Sequence, residues 1–113
     1  MKNILFFGNS LTAGFGLRNA ETESFPALIG QKINAAHLDY RIINAGLSGD
    51  TSTGGLNRIN YWISQYIEVF VLELGINDII RGIRPQTTLG NLQAITDKVK
   101  IKYPGVKMGL MGM

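Results

Sequence analysis

The sequence predicts an α/β fold built on an open parallel β-sheet with helices on both faces. Four short apolar runs alternate with three helix-length segments, in the order β-α-β-α-β-α-β. Two of the runs are almost continuously apolar, as expected of parallel strands buried on both sides. The segments between them space their apolar residues three and four apart, the period of an amphipathic helix.

Asn3–Gly8 reads as the first strand. Phe25 to Ala36 follows as a helix, with Phe25, Leu28, Ile29 and Ile33 on one stripe and Pro26 tolerated in the first turn. Tyr40–Ala45 is the second strand. Thr51 to Gln65 carries Leu56, Ile59, Ile63 and then Tyr66 at helical spacing, with Thr51 and Ser52 suited to cap its start. Val69–Leu74 is the third strand. Thr88 to Lys102 carries Leu89, Leu92, Ile95 and Val99, and Pro104-Gly105 ends it. Lys107–Met113 is the fourth strand. No repeat, low-complexity stretch or linker interrupts the pattern.

Right-handed crossovers then favour a three-layer, flavodoxin-like sheet of strand order 2-1-3-4-5, with the first helix on one face and the second and third on the other. One helix cannot cover four strands, and the last apolar strand would be a sheet edge. The expectation is a single domain over residues 1–113, incomplete at the C-terminus after its fourth strand, or else covered by a second chain. The uncovered face or edge is then a place for self-association.

Composition narrows the class. Hydrophobic residues make up 45% and charged residues 17% of the chain, enough for a packed core. No apolar stretch reaches the roughly 18 residues of a membrane span. The start of the chain lacks a signal-peptide core and cleavage site, so a cytoplasmic location is expected, or a periplasmic or secreted one if a signal peptide has been removed. There are no cysteines, which excludes disulfides and thiolate metal sites. The net charge of +3 is one-sided: residues 1–80 carry five basic and seven acidic groups, residues 81–113 six basic and one acidic. Lys98, Lys100, Lys102 and Lys107 read as a solvated helix end rather than a nucleic-acid surface, since no aromatic interleaving or recognition-helix pattern accompanies them.

Three segments fall directly after strands: Gly8-Asn9-Ser10-Leu11, Ser48-Gly49-Asp50 and Gly75-Ile76-Asn77-Asp78. Open parallel sheets bind ligands at the carboxyl ends of their strands, so Ser10, Gly49 and Asn77 converge on one edge although 28 to 67 residues separate them. An acyl-transfer site needs an exposed hydroxyl and donors aimed at the oxygen that becomes negative. Ser10 can supply the hydroxyl. The Ser10 N–H, the Gly49 N–H and the Asn77 amide can supply the donors. Asn9, Asp50 and Asp78 are supporting candidates, with Asp50 read as a loop-ordering residue rather than a proton carrier. Asn77-Asp78 alone would read as a turn and helix cap, and Glu73 as a paired strand-end carboxylate.

These blocks resemble the GDSL/SGNH hydrolase family, and within it the lysophospholipase/acyl-thioesterase/arylesterase group. Gly8-Asn9-Ser10-Leu11-Thr12-Ala13-Gly14, Asn44-Ala45-Gly46-Leu47-Ser48-Gly49-Asp50-Thr51-Ser52 and Leu72-Glu73-Leu74-Gly75-Ile76-Asn77-Asp78 are similar to its first three blocks, in order. The resemblance implies a serine hydrolase acting on esters or thioesters. Ser10 would be the nucleophile, with Gly49 and Asn77 completing the oxyanion hole and no cofactor or metal needed. Asn9 stands where the family expects Asp. The family's last block, Asp-x-x-His, is absent, so the catalytic His and Asp are not in this chain and the 113 residues alone should be inactive. The sole histidine, His37, follows the first helix and belongs at the edge opposite Ser10, where it cannot act as the base. Gly14-x-Gly16 lacks the context of a dinucleotide site, and the Gly49–Gly54 stretch lacks the lysine of a phosphate loop. The alternatives are a non-catalytic flavodoxin-like binding module, an inactive fragment, or a nucleic-acid binder.

Overall fold

The computed structural model describes residues 2–111, with Ser10 and Leu11 described by their backbone alone. Within them, Lys2–Gly8 (β1), Tyr40–Gly46 (β2), Val69–Glu73 (β3) and Lys107–Leu110 (β4) form one parallel sheet of order β2-β1-β3-β4. This is the expected flavodoxin-like order. β1 is central, and Leu5, Phe6 and Phe7 are buried in it on alternating faces. β3 stops at Glu73, one residue earlier than expected. β4 stops at Leu110 because its register with β3 runs out at Leu72↔Leu110; Met111 adds only an N–H bond to the Leu72 carbonyl (2.9 Å). The expected end of that strand at Met113 lies outside the described residues.

The three expected helices are Phe25–Ala35 (α3), Ser52–Trp62 (α4) and Pro85–Lys102 (α6). Ser24 caps α3 by accepting the Ala27 N–H, and Thr51 caps α4 by accepting the Gly54 N–H. α4 ends at Trp62 rather than Gln65. The Tyr103 hydroxyl lies 2.7 Å from both the Ile63 and Gln65 carbonyls at the helix exit and offers them its one proton, so the helix need not continue. Tyr66 therefore leaves the expected stripe and is exposed. α6 begins three residues before Thr88, with Pro85 at its first position, where a missing N–H costs nothing. Leu89, expected on its buried stripe, is exposed. Three short helices were not expected: Ser10–Ala13 (α1), Ala20–Glu23 (α2) and Ile76–Ile80 (α5). At four or five residues they are too short to display a helical period.

α4 and α6 pack together on one face of the sheet over Leu5, Phe7, Phe70, Leu72, Ile59, Ile63, Ile95 and Val99. α3 lies on the other face, against β2, with Phe25 meeting Phe6 edge-to-face at 5.5 Å. On that face Ile33 and Pro26 are buried, whereas Leu28 and Ile29 stay exposed. Val69 and Val71 of β3 are only half-buried there, so a single long helix covers the β2 side of the sheet and leaves the β3–β4 side thinly covered. Between α6 and the ends of β3 and β4 lies an apolar cavity of about 350 Å³, lined by residues including Leu72, Leu74, Leu92 and Leu110.

Candidate active site

Strand register brings the three segments together. Gly8 pairs with Gly46 on one side and with Glu73 on the other. The chains that carry Ser10, Gly49 and Asn77 thus leave the sheet at one level and on one edge. Ser10 opens α1 immediately past β1; its hydroxyl lies outside the described residues.

The segment after β2 is held close to β1. The Leu47 N–H donates to the Gly8 carbonyl (3.0 Å), and the Asp50 N–H closes a turn onto the Leu47 carbonyl (3.2 Å). Gly49, at the corner of that turn, has φ +79°, a conformation that favours glycine. It is exposed, and its carbonyl accepts from Arg81 Nη2 (3.2 Å). Asp50 is buried and paired with Arg58, whose Nε donates to Asp50 Oδ2 (2.8 Å). The same guanidinium donates Nη1 to the Ala45 carbonyl and Nη2 to the Gly8 carbonyl, each at 2.8 Å, and stacks 4.1 Å from the Phe7 ring centre. Arg58 escaped the sequence reading because a basic residue on the polar side of a predicted helix looks solvated. Only the fold shows that its neighbours are strand-end carbonyls.

Asn77 is half-buried and donates its side-chain amide to the Asp50 carbonyl (2.9 Å), which sets it beside Gly49. A primary amide carries two N–H donors, so one remains to serve a ligand oxygen. Asn77 and Asp78 lie inside α5, behind Gly75, rather than forming its cap. Asp78 caps a different helix. Fully buried, it accepts from the Ser52 N–H (2.7 Å), Ser52 Oγ (2.5 Å) and Thr88 Oγ1 (2.8 Å), tying α5 to the starts of α4 and α6. Burial pushes this carboxyl up, but the bonds from Ser52 and Thr88 outweigh it and hold it below the ordinary 3.8.

Asn9 is buried, and its N–H reaches both the carbonyl (3.2 Å) and Oε1 (3.3 Å) of Glu73. Glu73 is buried too and accepts from Thr12 Oγ1 (2.9 Å), so it fixes the turn into α1. His37 sits three residues before β2, at the opposite end of the sheet, exposed. Its φ of 56° and two hydrogen bonds, His37 N–H to Asn34 O and Leu38 N–H to Ile33 O, make it the left-handed residue closing α3. Among the described residues no group of three His, Cys, Asp or Glu is placed to hold a metal ion, and no helix is long and apolar enough to cross a membrane.

With this arrangement in place, comparison with known proteins becomes specific. Residues 6–113 match the GDSL-like lipase/acylhydrolase family. The chain belongs to that family. It is 34% identical to the esterase TesA of Pseudomonas aeruginosa over 113 residues, covering 99% of this chain and 54% of TesA. It is 39% identical over 98 residues to thioesterase 1/protease 1/lysophospholipase L1 of Escherichia coli K12, covering 86% of this chain and 45% of that protein. Among solved structures it is similar to AlinE4, an SGNH-hydrolase family esterase, with 40% identity and a TM-score of 0.87 over 99% of this chain and 59% of that one. This member of the GDSL-like family thus spans about half the length of the curated relatives it matches. The shared half contains β1 to β4 and the three segments at their carboxyl ends.

Proposed function

We propose that this chain carries the nucleophile and oxyanion half of a serine hydrolase that cleaves carboxylic esters or thioesters, of the lysophospholipase/acyl-thioesterase/arylesterase type. The observation that carries the reading is the neighbourhood of Gly49 and Asn77. A left-handed glycine and a side-chain amide are joined through Asp50 at the strand edge from which Ser10 also departs. Two donors from separate elements, converging beside a serine-bearing turn, suit an oxygen that gains charge during acyl transfer.

In this reading Ser10 Oγ attacks the acyl carbonyl carbon while a base takes its proton. The carbonyl π electrons move onto oxygen, which the N–H groups of Ser10 and Gly49 and the Asn77 amide receive. Collapse breaks the bond to the leaving oxygen or sulfur, which takes from the base the proton that came from Ser10 and departs as alcohol or thiol. It leaves an acyl-Ser10 ester that water then hydrolyses by the same steps. The base is not His37, which lies across the sheet. The reading therefore requires an imidazole from outside these 113 residues, and the chain alone should turn over esters only at a residual level. Asn9, Asp50 and Asp78 act as supports. Small acyl esters or thioesters are the substrates, with no cofactor.

The test is a serine-directed fluorophosphonate applied to the gene's full-length product. Covalent mass on the peptide containing Ser10, lost in S10A, is the expected result. A folded protein that stays unlabelled at Ser10 would overturn the reading.

A further inference from the structure

We propose that Arg58 is the positioning residue of this site: one guanidinium sets the places of all three oxyanion donors. This rests on the hydrolase reading above. Two of the three acceptors of Arg58, the Gly8 carbonyl and the Asp50 carboxylate, stand one or two residues from a donor; the third, the Ala45 carbonyl, stands at the end of β2, four residues before Gly49. Nη2 holds the Gly8 carbonyl (2.8 Å), whose peptide partner, the Asn9 N–H, is held by Glu73. That peptide is fixed at both ends, and the Ser10 N–H follows it directly. Nε holds the Asp50 carboxylate (2.8 Å), next to the Gly49 N–H. The backbone carbonyl of Asp50 receives the Asn77 amide (2.9 Å), so the third donor is set through the same residue. Nη1 holds the Ala45 carbonyl (2.8 Å), where β2 gives way to the Gly49 segment.

The chemistry demands arginine. Three acceptors around one cation need donors in a rigid planar fork, and only guanidinium supplies them. Its face lies on the Phe7 ring, 4.1 Å from the centre, and Phe7 is fully buried in the central strand. The fork is thus referred to the most rigid part of the sheet. Because Asp50 neutralises it, Arg58 brings little net field to the oxyanion; its contribution is distance and direction. Lysine would keep the charge opposite Asp50 but cannot span both strand-end carbonyls. A shift of about 1 Å in a catalytic group is enough to lose about 100-fold in rate.

The experiment compares R58K and R58Q with wild type in the gene's full-length product, using a p-nitrophenyl acyl ester and fluorophosphonate labelling. Both folded variants should lose about 10- to 100-fold in kcat, with KM within about threefold and labelling slowed in parallel. R58K should not rescue kcat, although it retains the ion pair. In the full-length product, amide exchange at Leu47 and Asp50, whose N–H groups are bonded to the Gly8 and Leu47 carbonyls, should speed up about tenfold or more in R58K, while Phe7 and Phe70 amides keep their protection. A folded R58K with wild-type kcat, or with wild-type exchange at Leu47 and Asp50, overturns the proposal while leaving the hydrolase reading intact. A purely structural role would appear as exchange quickened throughout the core without a selective effect at Leu47 and Asp50, and that too overturns it. A wild type that neither labels nor turns over removes the hydrolase reading, and this proposal with it.

Discussion

Asp78 and Ser52, 26 residues apart, are joined by two hydrogen bonds to one fully buried carboxylate. The Ser52 N–H is one of the first donors of α4, which the helix itself cannot satisfy. Thr88 Oγ1 in the first turn of α6 shares the same carboxylate (2.8 Å). Asp78 therefore locks three elements, and Asn77 is its neighbour in α5. Truncation in D78A strands several buried donors, each costing roughly 1–3 kcal/mol. We expect D78A to lose about 3–5 kcal/mol in urea unfolding, in the range of broken buried polar networks. A loss under about 1 kcal/mol would show that the network is not a structural lock.

The same carboxylate makes stability depend on pH. Its folded-state pKa lies below the ordinary value of 3.8, so the unfolded chain takes up the proton first as pH falls. The stabilisation is complete above the unfolded value. It fades as pH drops through about 3.8 toward the lower folded value. Urea midpoints taken between pH 6 and pH 3 should therefore fall at the acid end, and D78N should flatten that fall. An equally steep acid limb in D78N would assign it to other carboxylates.

The long elements were legible because their patterns are redundant. Leu5, Phe6 and Phe7 mark a strand buried on both faces, and the three and four spacing of Leu56, Ile59 and Ile63 marks a helix. Ser10, Gly49 and Asn77 were legible because each follows a strand. The rest depended on contacts no local pattern encodes. α5 places Asn77 within a helical turn too short to show a period. The end of α4 is set by Tyr103, 40 residues after Ile63. Arg58 gains meaning only when β1 and β2 end beneath it.

His37 is the one non-glycine residue with positive φ among those described, at the position after α3 where glycine is preferred. A side chain in this conformation carries a strain of roughly 1 kcal/mol. H37G should therefore stabilise the chain by up to about 1 kcal/mol, part of that gain being offset by the freer unfolded glycine. It should leave fluorophosphonate labelling of the full-length product unchanged. Loss of labelling in folded H37G would contradict its placement away from Ser10.

Asn77 carries one structural and one catalytic bond in the proposed site. N77A frees the Asp50 carbonyl, at a cost of about 1 kcal/mol for a half-exposed bond. Removing an oxyanion donor costs about 10²–10³ in kcat. The expected result is a folded N77A with kcat down by that factor and KM little changed. A kcat loss matched by an equal loss of thermal stability across several Asn77 variants would instead assign the residue to folding.

Gly49 offers the cleanest separation of site from scaffold. A Cβ built there would meet only Arg81 Nη2, at 3.8 Å, so G49A has room. Its cost is conformational: φ of +79° is unfavourable for alanine by about 1–2 kcal/mol. The backbone can relieve this by rotating the Ser48–Gly49 peptide, which turns the Gly49 N–H away from the oxyanion. Gly46 is the contrast, since a Cβ there would strike the backbone of Ala13 in α1, and G46A should damage folding itself. In the full-length product we expect G49A to stay folded and lose about 10²–10³ in kcat. G46A should fail first in thermal unfolding. Wild-type kcat in folded G49A would remove Gly49 from the oxyanion hole and leave the Asn77 amide to act with the Ser10 N–H alone.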